Sequence, residues 1–416
     1  MGMLTLYEEK RWRIAAFLAV AAALNFGDRA AMSAVLSTVR IDLHLSDVAL
    51  GLLGSVFLWS YAVGSPIAGS LCDRYSRGRI VVFSLAAWSA ITALVGFAWD
   101  FNTLLILRFA LGLAECLFLP AAVAFIAEHH SAGTRARALS LLTIGINCGM
   151  VLGGSFSGFM AERYGWRSGF LILGIGGIAL ALMARFFLPP APRLETAMHG
   201  TATARAGFVS AVKYLARTPS YYVLVVESML SGFGMWVFFT WLPLFFREAY
   251  SMNLAAAGFA GTFLLQVSVM LGILFGGWIS DRVASHAPHR RMLLYGAFYL
   301  VAAPFLLLFL GRPEFSVIAW GIGAFSFLRG LGQANDNPTQ CEIVPSRFRS
   351  TGVGLMNAVS TAAGGYGVYL AGFLKSSVGL GVIFAGISGV FFLAGIALVL
   401  GYHFFMRKDI ARAQAM

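Results

Sequence analysis

Apolar residues run through this chain in long continuous stretches rather than in alternation. They cover roughly 13–38, 48–71, 80–99, 102–127, 138–160 and 168–189, and then 221–246, 255–279, 292–311, 315–343, 351–374 and 379–406. Each is about as long as the ~20 residues a helix needs to cross a hydrocarbon core. A barrel strand would alternate apolar and polar positions instead. The pattern predicts an all-α polytopic membrane protein of twelve transmembrane helices. A polar stretch at 190–220 follows Pro189 and contains Pro190 and Pro192. It divides the chain into an N-terminal six-helix bundle (1–189), a central loop (190–220) and a C-terminal six-helix bundle (221–416).

Composition agrees. Of 416 residues, 59% are hydrophobic and only 12% charged, against about 45–50% and about 25% in soluble domains. The formal charge of +12 raises nucleic acid as a partner, but the positions of the basic residues argue otherwise. With both termini on one side, 21 of the 30 Lys and Arg lie on that side, six on the other and three within spans. This bias places both termini and the central loop in the cytoplasm. The expected location is a bacterial inner membrane.

The chain repeats itself. Gly69-Ser-Leu-Cys-Asp73-Arg74 follows the second span, and Gly277-Trp-Ile-Ser-Asp281-Arg282 follows the eighth, 208 residues later. Two duplicated halves are a transporter architecture, with a substrate site expected near the midplane between them. An Asp at a helix end can pair with nearby basic residues and a helix terminus. Asp73, Arg74, Arg77, Asp281 and Arg282 therefore read as gating residues.

Ionisable groups inside spans are costly and tend to be functional. Asp28 and Arg29 lie halfway along the first span; Arg108 and Glu115, two turns apart, share a face of the fourth. Such faces must turn inwards. Burial and a neighbouring arginine pull a carboxyl's proton affinity in opposite directions. Asp28 and Glu115 are thus candidate proton-coupling residues, and a static buried network is the alternative. Arg29 and Arg108 carry planar guanidinium forks suited to a carboxylate. They are candidate substrate-binding residues once the acids are neutral. Tyr61 either hydrogen-bonds a hydroxylated anion or packs between helices. Asn147, in the glycine-rich fifth span, is a further candidate contact. The tenth span is unusually polar and holds Arg329, Gln333, Asp336 and Pro338. It lines either the substrate cavity or a cytoplasmic gate. Glu227 reads as part of a network, and His129 and His130 read as solvated loop histidines.

Gly69–Arg79 resembles the signature loop of the major facilitator superfamily, with Ser76 where that signature has glycine. Within it, Asp28-Arg29, Arg108…Glu115 and Thr240-Trp-Leu-Pro243 resemble the anion:cation symporters, the bacterial sugar-acid and organic-anion carriers; Phe26 stands where they carry Tyr. The resemblance implies proton sites at Asp28 and Glu115, substrate contact by the neighbouring arginine and by a tyrosine at Tyr61, and a role for Asn357, which matches a helix-eleven Asn of the family. Arg108 with Gly112 also matches a superfamily motif linked to proton transfer. Spinster-type carriers share the Asp-Arg and Arg…Glu set. Gly145–Gly154 resembles the drug–proton antiporter motif, but Met150 replaces its proline.

Together these features predict proton-coupled uptake of a small organic anion, such as a sugar acid, by alternating access. The alternatives are a spinster-like lysolipid or amphiphile carrier and a drug–proton antiporter. No enzyme activity, cofactor, metal or nucleic acid is expected. The driving force is a proton gradient, with sodium as the alternative, and the protein is expected to act as a monomer in the bilayer.

Overall fold

The computed structural model describes residues 2–188, 210–284, 287–311, 313–345 and 348–414. Most of the expected central loop lies outside them. The described residues are almost entirely helical and contain no strand. Among the described residues twelve long helices follow in order: α1 (Gly2–Asp42), α2 (Asp47–Arg74), α3 (Arg77–Val95), α4 (Phe101–His129), α5 (Ala132–Tyr164), α6 (Trp166–Phe187), α7 (Pro219–Tyr250), α8 (Leu254–Ala284), α9 (Arg290–Leu310), α10 (Phe315–Ile343), α11 (349–378) and α12 (380–401). Eleven helical segments are long and apolar enough to cross a membrane; the last, Thr351–Gln414, holds two passes. They part at Gly379, whose φ of 78° is a backbone state that glycine adopts without Cβ strain.

Local chemistry sets the ends. Ser46 caps α2 by accepting from the Ala49 N–H, and Asp100 caps α4 by accepting from the Thr103 N–H at 2.8 Å. Those hydrogen bonds hold the Asp100 carboxyl below the usual carboxylate range. α4 is interrupted at Cys116 and Leu117, immediately after Glu115. α10 is interrupted at Ala334 and Asn335, immediately before Asp336. There the Asn335 carboxamide donates to the Leu331 and Gly332 carbonyls, a side-chain competition with the helical ladder.

Contacts gather the helices into two compact units. The first holds 1–195 with 239–262; the second holds 196–238 with 263–416. Within the first, the start of α8 is capped by Glu162, which accepts from the Leu254 N–H, and Gly154 lies against Gly258. α1 is the interior helix of this unit, with 72% of its most apolar stretch buried. α4 shows how its polarity is arranged: Ile106 and Phe109 face outwards, while Arg108, Gly112 and Glu115 are buried. In lipid the apolar face belongs outside and the ionic face inside. In the second unit the core is aromatic, with Phe238 stacked on Phe384 at 4.7 Å and Phe325 edge-on to Phe391 at 4.9 Å.

Candidate functional site

Asp28, Arg29, Arg108 and Glu115 come together as one buried cluster in the first unit. Arg29 donates from Nε to Glu115 Oε2 at 2.7 Å and from Nη2 to Asn25 Oδ1 at 3.2 Å. Asp28 turns the other way and accepts from the Thr92 hydroxyl of α3. Arg108 donates to the Leu53 carbonyl at 3.4 Å. The guanidiniums sit on aromatic rings: Arg29 lies 4.6 Å from the centroid of Tyr61, and Arg29 and Arg108 lie 5.2 and 4.6 Å from that of Phe57. Such stacking holds a desolvated cation without neutralising it. Asp28 Oδ1, Glu115 Oε1 and Arg108 Nη1 have no hydrogen-bond partner. Two acids and two arginines balance in formal charge, yet both signs keep an unused bonding position.

Glycines bring the helices close enough for this. A Cβ on Gly112 would meet Ser60 and the Phe57 carbonyl, so α4 lies directly on α2 and Arg108 lands over the Phe57 ring. A Cβ on Gly149 would meet the Ala23 backbone, so the α5 glycines seat that helix on α1 as a small-residue packing face. Asn147, on the same helix, donates to the Thr143 carbonyl of its own turn at 2.8 Å and joins neither cluster.

The second-half candidates form a separate group inside the second unit. Gln333, Asp336 and Asn357 line a cavity of about 310 Å³ together with Glu227, Tyr295 and Tyr299. Arg329 is buried beside it and feels the Glu227 charge, but does not line it. Glu227, expected from the sequence to belong to a network, lines the cavity.

Of the gating candidates, the side chains of Asp73 and Arg74 lie outside the described ones. Arg77, at the start of α3, pairs with Glu128 near the end of α4. In the second unit Arg291, at the start of α9, pairs with Glu342 near the end of α10 at 3.1 Å and with Asp281 at 3.2 Å. The offset is the same, 214 residues, from Arg77 to Arg291 and from Glu128 to Glu342. Arg282 stacks on Trp278, 3.7 Å from the ring centroid. Thr92 and Phe57 were missed because a hydroxyl or an aromatic in an apolar run carries no signal until its neighbour is known, and Asn25 and Glu128 because the directions of their partners Arg29 and Arg77 are fixed only by packing. His130 corrects an expectation: it is buried, not solvated. Its ring bonds the Arg11 carbonyl at 3.2 Å and packs edge-on to Trp12.

Comparison with known proteins gives a consistent setting. The family profile described as Major Facilitator Superfamily matches residues 18–367. The chain is 25% identical to the cis,cis-muconate transport protein of Acinetobacter baylyi, over 92% of this chain and 93% of that one. It is 26% identical to a 4-hydroxybenzoate transporter of the same organism, over 86% and 84%. Among solved structures, a bacterial homolog of the human lysosomal transporter spinster shares the fold with a TM-score of 0.75 at 21% identity, covering 97% of this chain and 98% of that one.

Proposed function

The chain belongs to the major facilitator superfamily and is a membrane transporter, not an enzyme; on that premise we infer that it takes up a small organic anion together with protons. The anion is a carboxylate, as are the muconate and 4-hydroxybenzoate for which its transporter relatives are named. The six-helix halves 1–189 and 221–416, joined by 190–220 with both termini cytoplasmic, are part of this reading. So is a bacterial inner-membrane location, monomeric function and the absence of a cofactor.

One observation carries it. The Arg29 guanidinium is already occupied by an internal carboxylate, Glu115, at 2.7 Å. A substrate carboxylate competes for the same fork. Protonating Glu115 removes the internal competitor, so the anion is held well only when a proton is present. Asp28 extends the argument: its Oδ1 is unpartnered, leaving a position for a proton one residue from Arg29. Arg108, with an unused Nη1, offers a second donor to the anion. Tyr61, stacked beside Arg29, supplies a hydroxyl and a ring edge to the same place. Gln333, Asp336, Asn357 and Arg329 are assigned to selectivity from the second unit, and Asp281 and Arg282 with their first-half counterparts to gating.

The test is uptake of radiolabelled 4-hydroxybenzoate, muconate and a sugar acid into proteoliposomes under an inward proton gradient. One of these carboxylates accumulates above its external concentration, and Asp28→Asn or Glu115→Gln abolishes accumulation while exchange of preloaded solute persists. Concentrative uptake by both variants overturns the coupling assignment.

A further inference from the structure

The cavity of the second unit holds a charge imbalance that the first unit's cluster does not. Glu227 from α7 and Asp336 from α10 both line it, and the Asp336 charge acts directly on Glu227. One arginine, Arg329, is near enough to act on Glu227. It forms no ion pair with either acid among the described residues, and its Nε is itself unpartnered. Two acids against one arginine leave the site one positive charge short. Buried like charges without compensation are strongly unfavourable.

The hydrogen bonds show the same deficit. Glu227 is 2% exposed, yet its Oε1 has no donor; Asp336 Oδ1 and Gln333 Oε1, also in the cavity wall, have none either. Three orphaned acceptor oxygens belong to residues that line one cavity of about 310 Å³. On the other side of the carboxyl, the Ser228 hydroxyl lies 3.5 Å from Glu227 Oε2, the Ser231 and Tyr299 hydroxyls bond each other at 3.3 Å, and the Tyr295 and Tyr299 hydroxyls reach towards Glu227. The titratable groups facing Glu227 are Asp336, Tyr295, Tyr299 and the fixed charge of Arg329. A divalent ion would overshoot the missing charge, and no group of three His, Cys, Asp or Glu exists among the described residues to hold one.

We propose that this cavity binds one monovalent cation, a proton or Na⁺, between Glu227 and Asp336 with the Gln333 carboxamide oxygen as a third acceptor. It is a cation site additional to Asp28 and Glu115, so a transport cycle that loads both moves more positive charge than the first-unit cluster alone. Na⁺ suits it because carboxylate and carbonyl oxygens are hard ligands; a proton suits it because a carboxyl pair can share one.

The site is tested on the purified full-length protein without any organic solute, so its outcome is independent of the symport reading. Thermal unfolding is followed against NaCl with choline chloride as control at pH 8, and against pH from 8 to 5 without Na⁺. Ligand that binds only the folded state raises Tm with concentration. Expected is a saturable rise with Na⁺, or a stabilising contribution on acidification read as the difference between wild-type and variant curves, that is lost in both Glu227→Gln and Asp336→Asn and kept in Gly176→Ala. Two variants guard against one failing to fold, and gel filtration reports whether each remains monodisperse. A folded Glu227→Gln or Asp336→Asn variant whose Na⁺ and pH curves match the wild type, or an equal loss in Gly176→Ala, overturns the proposal. If Na⁺ acts, the cation is sodium; if only acid acts, it is a proton.

Discussion

Arg29 gives its Nε–H to Glu115, 86 positions away, at 2.7 Å, and not to Asp28, the residue beside it. Consecutive positions on a helix point about 100° apart and do not face each other. Asp28 therefore reaches α3 and Thr92, while Arg29 reaches α4 and Glu115. One dipeptide thus ties α1 to two neighbours through opposite charges.

Removing one member of that pair is expected to cost far more than removing both. Glu115→Gln leaves Arg29 charged and buried without its carboxylate partner, a loss of about 3–5 kcal/mol for a broken buried pair. The double variant Arg29→Gln/Glu115→Gln should be less destabilised than Glu115→Gln alone in detergent melting curves. Strict additivity would mean the pair is not energetically coupled.

Thr92 is expected to be a positioning residue for Asp28. Thr92→Val keeps the shape but removes the hydroxyl, leaving both Asp28 oxygens without a donor. An orphaned buried acceptor costs about 1–3 kcal/mol. Concentrative uptake should fall, and Thr92→Ser should restore it; equal activity in the valine and serine variants would remove Thr92 from the coupling network.

The close approach of α5 to α1 should tolerate no added methyl group. Gly149→Ala places a Cβ into the Ala23 backbone, whereas Gly176→Ala on α6 meets nothing within 4 Å. Tm should drop in the first and stay near wild type in the second. A matching drop in both would point to helix propensity, not packing.

Charge reversal tests the paired ion pairs. Arg77→Glu should slow uptake and Arg77→Glu/Glu128→Arg should recover it; Arg291 and Glu342 should behave alike. These side chains are partly exposed, so each pair contributes only about 0.2–1 kcal/mol to stability. The rate of transport, rather than Tm, is the sensitive readout.

His130 lies beyond the end of α4, and burial holds its imidazole below the usual 6.5. Above that pH both folded and unfolded states are neutral. As pH falls below 6.5 the unfolded chain takes up the proton first, so stability is lost progressively down to the lower folded value. Melting temperatures between pH 7 and 5 should fall more steeply for the wild-type protein than for His130→Gln; parallel curves would show that this ring does not titrate differently on folding.

The sequence alone determined the class and most of the plan. Continuous apolar runs admit only helices in lipid, because backbone groups must bond within their own segment. Rare charges inside such runs stand out against that background, so Asp28, Arg29, Arg108 and Glu115 were legible, as was the polarity of α10. The repeated Gly-x-x-x-Asp-Arg turn disclosed the duplication. What only the tertiary structure decided is which group meets which. Spacing along one helix puts Arg108 and Glu115 on one face, but the partner of Glu115 is Arg29, because α1 brings it across. Thr92 and Phe57 look like ordinary residues of apolar helices until packing sets them against a carboxylate and a guanidinium. Glu227 and Asp336 lie 109 positions apart, and no local periodicity connects them; they share a cavity because α7 and α10 converge. Pattern and charge act along the chain and can be read there, whereas partnership depends on contacts between distant segments that exist only once the helices pack.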